Sequence, residues 1–320
     1  MKLFIYIPTY NRPKEIRRQL EVLIPQVNKH KDRVRLIVND NASPNGINDE
    51  LPFLYSSENI IFMKNCGNIG GNGNILLGFV FARADEFLWL LSDNDLVTEN
   101  AVETLLHELD ENIDFISLNL DMGLDFSNVY KKTKKDSAMV YEWIDGWVLP
   151  VSEGIGLISA CLYNMKTFSP YIATAFYFHN SSFPHLAVLL AAAKDKGALK
   201  FHLLSRHSFI IEESFLSIFS VSDYSLSHLG MPLLSDLMPF KKSKIFLWGW
   251  LKHCWIMLFA HRNGAYYHVF RQSRAIICSY GFKFIVFVFL LPFLFFNYSI
   301  FRFIKAGLKK IKKHVKPLTP

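Results

Sequence analysis

The stretch Phe87-Leu88-Trp89-Leu90-Leu91-Ser92-Asp93-Asn94-Asp95 decides the reading of this chain. Five consecutive apolar residues predict a strand buried on both faces, and two carboxylates one residue apart follow it at once. Side chains two apart on extended backbone share a face, and open α/β sheets bind their ligands beyond the carboxyl ends of strands. Carboxylates placed together there repel one another unless positive charge lies between them. A divalent cation carrying a diphosphate supplies such charge. The competing reading is a strand-to-helix turn in which Asp95 or Thr98 caps a helix over 99–109.

The sequence on either side repeats the pattern. Residues 3–7, Leu-Phe-Ile-Tyr-Ile, predict a first strand, broken by Pro8-Thr9-Tyr10-Asn11-Arg12-Pro13. Pro13 suits the first turn of a helix running to about Val27. A second strand over 34–38 ends in Asn39-Asp40-Asn41-Ala42-Ser43. A third over 59–63 ends in an Asn/Gly segment from Asn65 to Asn74, which opens a helix through Ala82. Strands and helices in regular alternation predict a doubly wound, parallel, right-handed α/β sheet. Each strand ends in Thr, Asp, Asn or Gly at one edge, which describes a single binding crevice. The glycines at 67, 70, 71 and 73 do not match G-x-G-x-x-G and follow the third strand, so a dinucleotide fingerprint is set aside.

Taken in order, Pro8–Pro13, Asp40–Ser43, the Asn65–Asn74 segment and Trp89–Asp95 resemble the family 2 glycosyltransferases of the GT-A fold. The likeness covers residues 1 to about 120. It is nearest to the branch that builds bacterial O-antigens and capsules, such as abequosyltransferase-like enzymes. It implies a nucleotide-sugar donor bound by Pro8, Thr9, Asn11 and Asp40, with Asn72 and Asn74 on the diphosphate and Asp93 on the ribose. Asp95, with Asp93 beside it, would hold Mn²⁺ or Mg²⁺, whose charge offsets that of the leaving diphosphate. Asn94 stands where many relatives carry Asp, which removes one charge from the metal side. A sugar nucleotidyltransferase would use a similar sheet, but its glycine-rich loop and lysine should follow the first strand, where Pro-Thr-Tyr-Asn stands here.

Farther along the likeness thins. Residues 112–119 predict another strand, and 121–150, with Lys131, Lys132, Lys134 and Lys135, a variable excursion. Residues 154–164 predict a buried strand, and 184–196 a helix closed by Gly197. Family 2 enzymes usually open the corresponding helix with a carboxylate that deprotonates the acceptor hydroxyl. Here that position falls at His185, with His179 as the reserve and Glu153 as the nearest carboxylate. An imidazole of ordinary pKa about 6.5 suits a general base near neutrality. Single displacement with inversion is what the resemblance implies.

Charge divides the chain. Residues 1–240 hold all 28 acidic residues against 20 Lys and Arg, a net of −8, while the last 80 residues hold 15 cations and no acid. That asymmetry predicts a catalytic domain over 1–240 and a basic, aromatic-rich helical region over 241–320. Nucleic acid is one partner of basic sequence, but its density in Phe, Trp, Leu and Ile suits an anionic membrane surface. Residues 245–260 read as an interfacial helix with tryptophans at headgroup depth. The apolar run 284–301, broken by Pro292 and Asn297, approaches the roughly 20 residues of a span. Seven cations follow it between Arg302 and Lys316, and the positive-inside tendency favours a re-entrant or surface-lying arrangement over a crossing.

Cys66, Cys161, Cys254 and Cys278 have no paired spacing, so neither zinc nor disulfides are expected, and no signal peptide is predicted. The expectation is therefore a GT-A transferase at the cytoplasmic face of a bacterial inner membrane, acting on a lipid-linked saccharide. The alternative from another class is an inactive relative serving as a membrane-bound scaffold. A cysteine introduced beside Lys316 is expected to resist membrane-impermeant thiol reagent on intact cells; labelling from outside only would show that the tail crosses.

Overall fold

The computed structural model describes residues 1–44, 57–121, 137–138, 156–181, 183–211, 234 and 237. They belong to a compact unit spanning Met1–His253. The expected membrane segments at 245–260 and 284–301, and the lysine excursion at 131–135, lie outside the described residues.

Strands β1 (Lys2–Thr9), β2 (Val34–Asp40), β3 (Ile60–Lys64) and β4 (Glu86–Leu90) form a parallel block in the order β3-β2-β1-β4. Leu3 to Ile7 and Phe87 to Leu91 are fully buried, because these strands have neighbours on both sides and helices over both faces. Helix α1 (Pro13–Lys29) joins β1 to β2, and α2 (Gly71–Phe81) joins β3 to β4. Helix α1 takes Pro13 at its start, as its fixed φ allows, and carries Pro25 inside it without ending.

Beyond β4 the direction changes. The short strand β5 (Leu96–Val97) and helix α3 (Ala101–Glu108) lead to β6 (Phe115–Asp121). Residues 137–138 add the two-residue strand β7. A 3₁₀ turn, Ile158–Ala160, then enters β8 (Cys161–Asn164), which lies antiparallel between β4 and β6. Two short helices, α4 (Met165–Phe168) and α5 (Ile172–Tyr177), precede α6 (Pro184–Lys196), and β9 (Leu199–Ile211) runs parallel to β6. The nine-stranded sheet is thus mixed but mostly parallel. Of the buried strand expected over 154–164, the described residues 156–160 are a turn and the 3₁₀ segment, and Cys161–Asn164 is strand. Helix α6 matches its expected bounds and closes at Gly197, whose φ of 74° is the left-handed conformation a C-terminal glycine supplies.

Two contacts decide how close the layers come. Arg35 forms a two-pronged pair with buried Glu86, at 3.0 and 2.8 Å, and lies over the Phe4 ring at 3.8 Å. Gly78 of α2 faces Tyr6 and Leu90; a methyl group there would stand 2.6 Å from Leu90 Cδ2 and 2.8 Å from Tyr6 Cδ1. Gly78→Ala should therefore cost roughly 1–3 kcal/mol by overpacking, read as a lower urea midpoint at unchanged m-value.

Candidate active site

From β1 the chain winds outward to β2 and β3, then returns to β4 on the other side of β1. The switch point lies between the carboxyl ends of β1 and β4, where open α/β sheets hold ligands. Thr9 ends β1 and Asp93 follows β4. Across this gap the Thr9 hydroxyl donates to Asp93 Oδ2 at 2.8 Å, and Arg12 Nη1 pairs with Asp93 Oδ1 at 3.0 Å. Both oxygens of a carboxylate that is 5% exposed are therefore already engaged. Burial raises its pKa, and the Arg12 charge and the Thr9 hydrogen bond work against that rise.

Asp95 is held from a different direction. Its Oδ2 accepts from the Ser159 hydroxyl at 2.5 Å, and its amide donates to the Ser92 carbonyl at 3.3 Å, closing a tight turn. Burial, and then the neighbouring Asp93 charge, push its pKa up to about 6 against the pull of Ser159 and Arg12. The capping alternative is not realised: Asn100 precedes α3, with no side-chain cap. Asn94 accepts from the Ser92 hydroxyl at 2.5 Å.

Asp40, at the end of β2, is fully buried. Its Oδ1 accepts from the Ser43 amide at 3.0 Å and the Ser43 hydroxyl at 2.5 Å, while its Oδ2 is buried with no hydrogen-bond partner among the described residues. An enclosed carboxylate oxygen without a donor is costly unless a ligand N–H or O–H reaches it. Around it the backbone is unusual: Asn11 and Ala42 have φ of 54° and 62°. The Asn11 amide donates to Ser43 Oγ at 2.7 Å, tying the loop after β1 to the loop after β2.

The asparagines divide into two kinds. Asn74 is buried in a polar knot: it accepts from Asn39 at 2.8 Å and from Asn65 at 3.3 Å, and donates to the Asn39 carbonyl at 3.1 Å. Tyr6 donates to the Asn74 carbonyl at 2.9 Å. The side chain expected on a diphosphate is hydrogen-bonded within this knot, whose members Tyr6, Asn39 and Asn74 are buried and Asn65 half-buried. Asn72 lies nearer the surface at the start of α2, and its amide donates to the His179 carbonyl at 2.6 Å. Asn41, not singled out by sequence, accepts from Asn65 at 3.0 Å and the Ile69 amide at 3.0 Å, and donates to Asn68 at 2.9 Å.

The two histidines also part. His185 is 1% exposed, packed edge-on to Phe183 in the first turn of the apolar helix α6. The ring expected to face an acceptor is enclosed, because this helix buries every residue from Pro184 to Ala193. His179 is exposed, with Nδ1 3.2 Å from the Phe176 carbonyl, and its own carbonyl is bound to Asn72 beside the crevice. Arg12 and Ser159 were missed by sequence reasoning. Arg12 carried a signal, as the only cation in the loop after β1; Ser159 carried none, being 64 residues from the carboxylate it binds.

The profile described as Glycosyl transferase family 2 matches residues 4–168, just over half of the chain. The chain belongs to that family. No protein of curated function matches it by sequence. Among solved structures, S. aureus TarS 1-349 in complex with UDP-GlcNAc is similar in fold, with TM-score 0.57 and 14% identity, over 87% of this chain and 81% of that one. TarS 1-349 without that ligand gives TM-score 0.53 and 15% identity, over 82% and 74%. The mannosyltransferase PcManGT from Pyrobaculum calidifontis, in complex with GDP-Man and Mn²⁺, gives TM-score 0.51 and 8% identity, over 98% and 88%. The fold is therefore that of nucleotide-sugar-binding GT-A transferases.

Does this family 2 transferase have side chains that suit a divalent cation? No group of three or more His, Cys, Asp or Glu gathers among the described residues. The only carboxylate oxygen of the Asp93/Asp95 pair that is not hydrogen-bonded among those residues is Asp95 Oδ1. One hard oxygen beside a diphosphate fits Mg²⁺ or Mn²⁺, which take few protein ligands and complete their shells with phosphate and water. Asp95 fits the role; both oxygens of Asp93, expected beside it as a ligand, accept hydrogen bonds from Thr9 and Arg12.

The raised pKa of Asp95 has a sign. A carboxyl with folded pKa about 6 against 3.8 unfolded binds its proton more tightly in the fold, so stability present at low pH is lost as pH rises through about 6. Asp95→Asn should abolish that loss and stabilise the metal-free protein at pH 7 by on the order of 2 kcal/mol. Thermal melts of both proteins from pH 4 to 7 in chelator check this: curves that stay parallel would refute it.

Proposed function

We propose that the chain transfers one glycosyl residue from a nucleoside-diphosphate sugar to a hydroxyl of a lipid-linked saccharide, in bacterial O-antigen or capsule synthesis. The observation that carries the reading is the set Asp40, Asp93 and Asp95 beyond the carboxyl ends of β2 and β4, with Asp40 Oδ2 buried and without a hydrogen-bond partner among the described residues. Asp40 takes a donor N–H or O–H of the nucleoside, and Thr9, the Pro8 backbone and Asn11 line the same pocket. Asp93, oriented by Thr9 and Arg12, faces the ribose. Asn72 lies where the diphosphate meets the start of α2. Asp95 Oδ1 holds Mn²⁺ or Mg²⁺, which when bound offsets the charge on the departing diphosphate.

The acceptor hydroxyl attacks the face of the sugar opposite the nucleotide, so the anomeric centre inverts. Exposure favours His179 over His185 as the group that takes its proton, since a base must reach the proton it removes. The last 80 residues, with 15 cations and no acid, hold the enzyme peripherally or by a re-entrant segment at the cytoplasmic face of the inner membrane. Each cation near an anionic leaflet contributes about 1 kcal/mol.

Membranes containing the protein, given a panel of sugar nucleotides led by UDP- and GDP-sugars, Mn²⁺ and natural lipid-linked glycan, should release nucleoside diphosphate from one donor. Asp95→Ala or chelator should abolish release. Silence across the panel would favour the inactive scaffold. His179→Ala should lower kcat about 100-fold or more with its melting temperature unchanged, whereas His185→Ala should mainly lower stability; the reverse pattern would return the base to His185.

A further inference from the structure

We propose that Ser159 is a positioning residue that decides which oxygen of Asp95 faces the cation. The inference rests on Asp95 being the cation-holding carboxylate. A serine hydroxyl has one hydrogen to give and two lone pairs to receive with. The Ser92 amide donates into Ser159 Oγ at 2.9 Å, and the only hydroxyl hydrogen is directed to Asp95 Oδ2 at 2.5 Å. Ser159 is itself immobilised, because its carbonyl accepts from Trp89 Nε1 at 2.8 Å. Ser159 and Trp89 are both fully buried, so water does not compete for these bonds.

The consequence is a directed carboxylate. Ser159 comes from the turn entering β8, and the β4–β8 ladder, with Trp89 opposite Leu162, sets where that turn stands. It grips the Ser92–Asp95 turn at two points, the Ser92 amide and the Asp95 carboxylate. With Oδ2 occupied, the oxygen left for a cation is Oδ1. A donor on one oxygen of a ligating carboxylate limits its rotation and its choice of binding mode, and loss of such a partner typically weakens metal affinity about 10- to 100-fold. Alanine at 159 would remove the donor to Asp95 and leave the buried Ser92 N–H without its acceptor.

The test uses the full-length chain with the donor that the panel identifies. For Ser159→Ala, the Mn²⁺ concentration giving half-maximal turnover should rise about 10- to 100-fold, with kcat at saturating Mn²⁺ largely restored. Ser159→Cys, a weaker donor of similar size, should fall between the two. A crystal structure of metal-free Ser159→Ala should show the Asp95 carboxylate rotated from its present orientation. An unchanged Mn²⁺ requirement, or an unmoved carboxylate, would overturn the assignment. If Ser159→Ala does not fold, Ser159→Cys decides by the same two readouts. If the wild-type protein transfers sugar without responding to Mn²⁺, the cation reading of Asp95 fails, and with it the purpose given to Ser159. The crystal structure then still decides whether Ser159 orients Asp95.

Discussion

Two neighbouring carboxylates beyond the end of the central strand, Asp93 buried and Asp95 half-buried, are the constraint around which this molecule is arranged. Charges so placed repel and lose hydration, and a fold tolerates them only where each is met by donors or counter-charge. Asp93 is met by the loop after β1, through Thr9 and Arg12; Asp95 is met by the turn before β8, through Ser159. Three separate pieces of chain are thereby drawn to one point. That point is the topological switch of the sheet, where winding leaves a gap between helices for a ligand.

A second layer of polar contacts keeps the rim of this gap in place. Tyr6, Asn39, Asn65 and Asn74 bond one another below the surface, and Asn41 anchors the Asn/Gly segment above them. Buried amides of this kind are stable only when paired, which makes their geometry specific. Within that frame Asn39 Oδ1 and Asp40 Oδ2 are buried with no hydrogen-bond partner among the described residues.

The likeness to TarS and PcManGT, at 14% and 8% identity, shows how little side-chain identity the layout requires. Beyond the parallel block, the segment from β5 onward makes the sheet of this chain mixed. In this chain that segment includes the antiparallel β8 and the enclosed His185.

Most of the parallel block was legible in the sequence, because burial on both faces writes continuous apolar runs and ligand-facing ends write Thr, Asp and Asn. Strands β1 to β4, helices α1 and α2, and the carboxylates at 40, 93 and 95 follow from those local signals. Partnership was not legible. Asn72 and Asn74 stand two apart in one motif, yet one reaches the crevice rim and the other the buried knot, since residues two apart in a helical turn point to nearly opposite sides. His185 matched the position of a base by counting, and only packing showed it enclosed in a helix that is buried from Pro184 to Ala193. Arg12 and Ser159 act on Asp93 and Asp95 across 81 and 64 residues of sequence. The sequence by itself determined the elements, their order and the chemistry at strand ends, because those depend on near neighbours. Only the tertiary structure decided which oxygen is taken and which is left for a ligand, because that depends on residues brought together by the sheet.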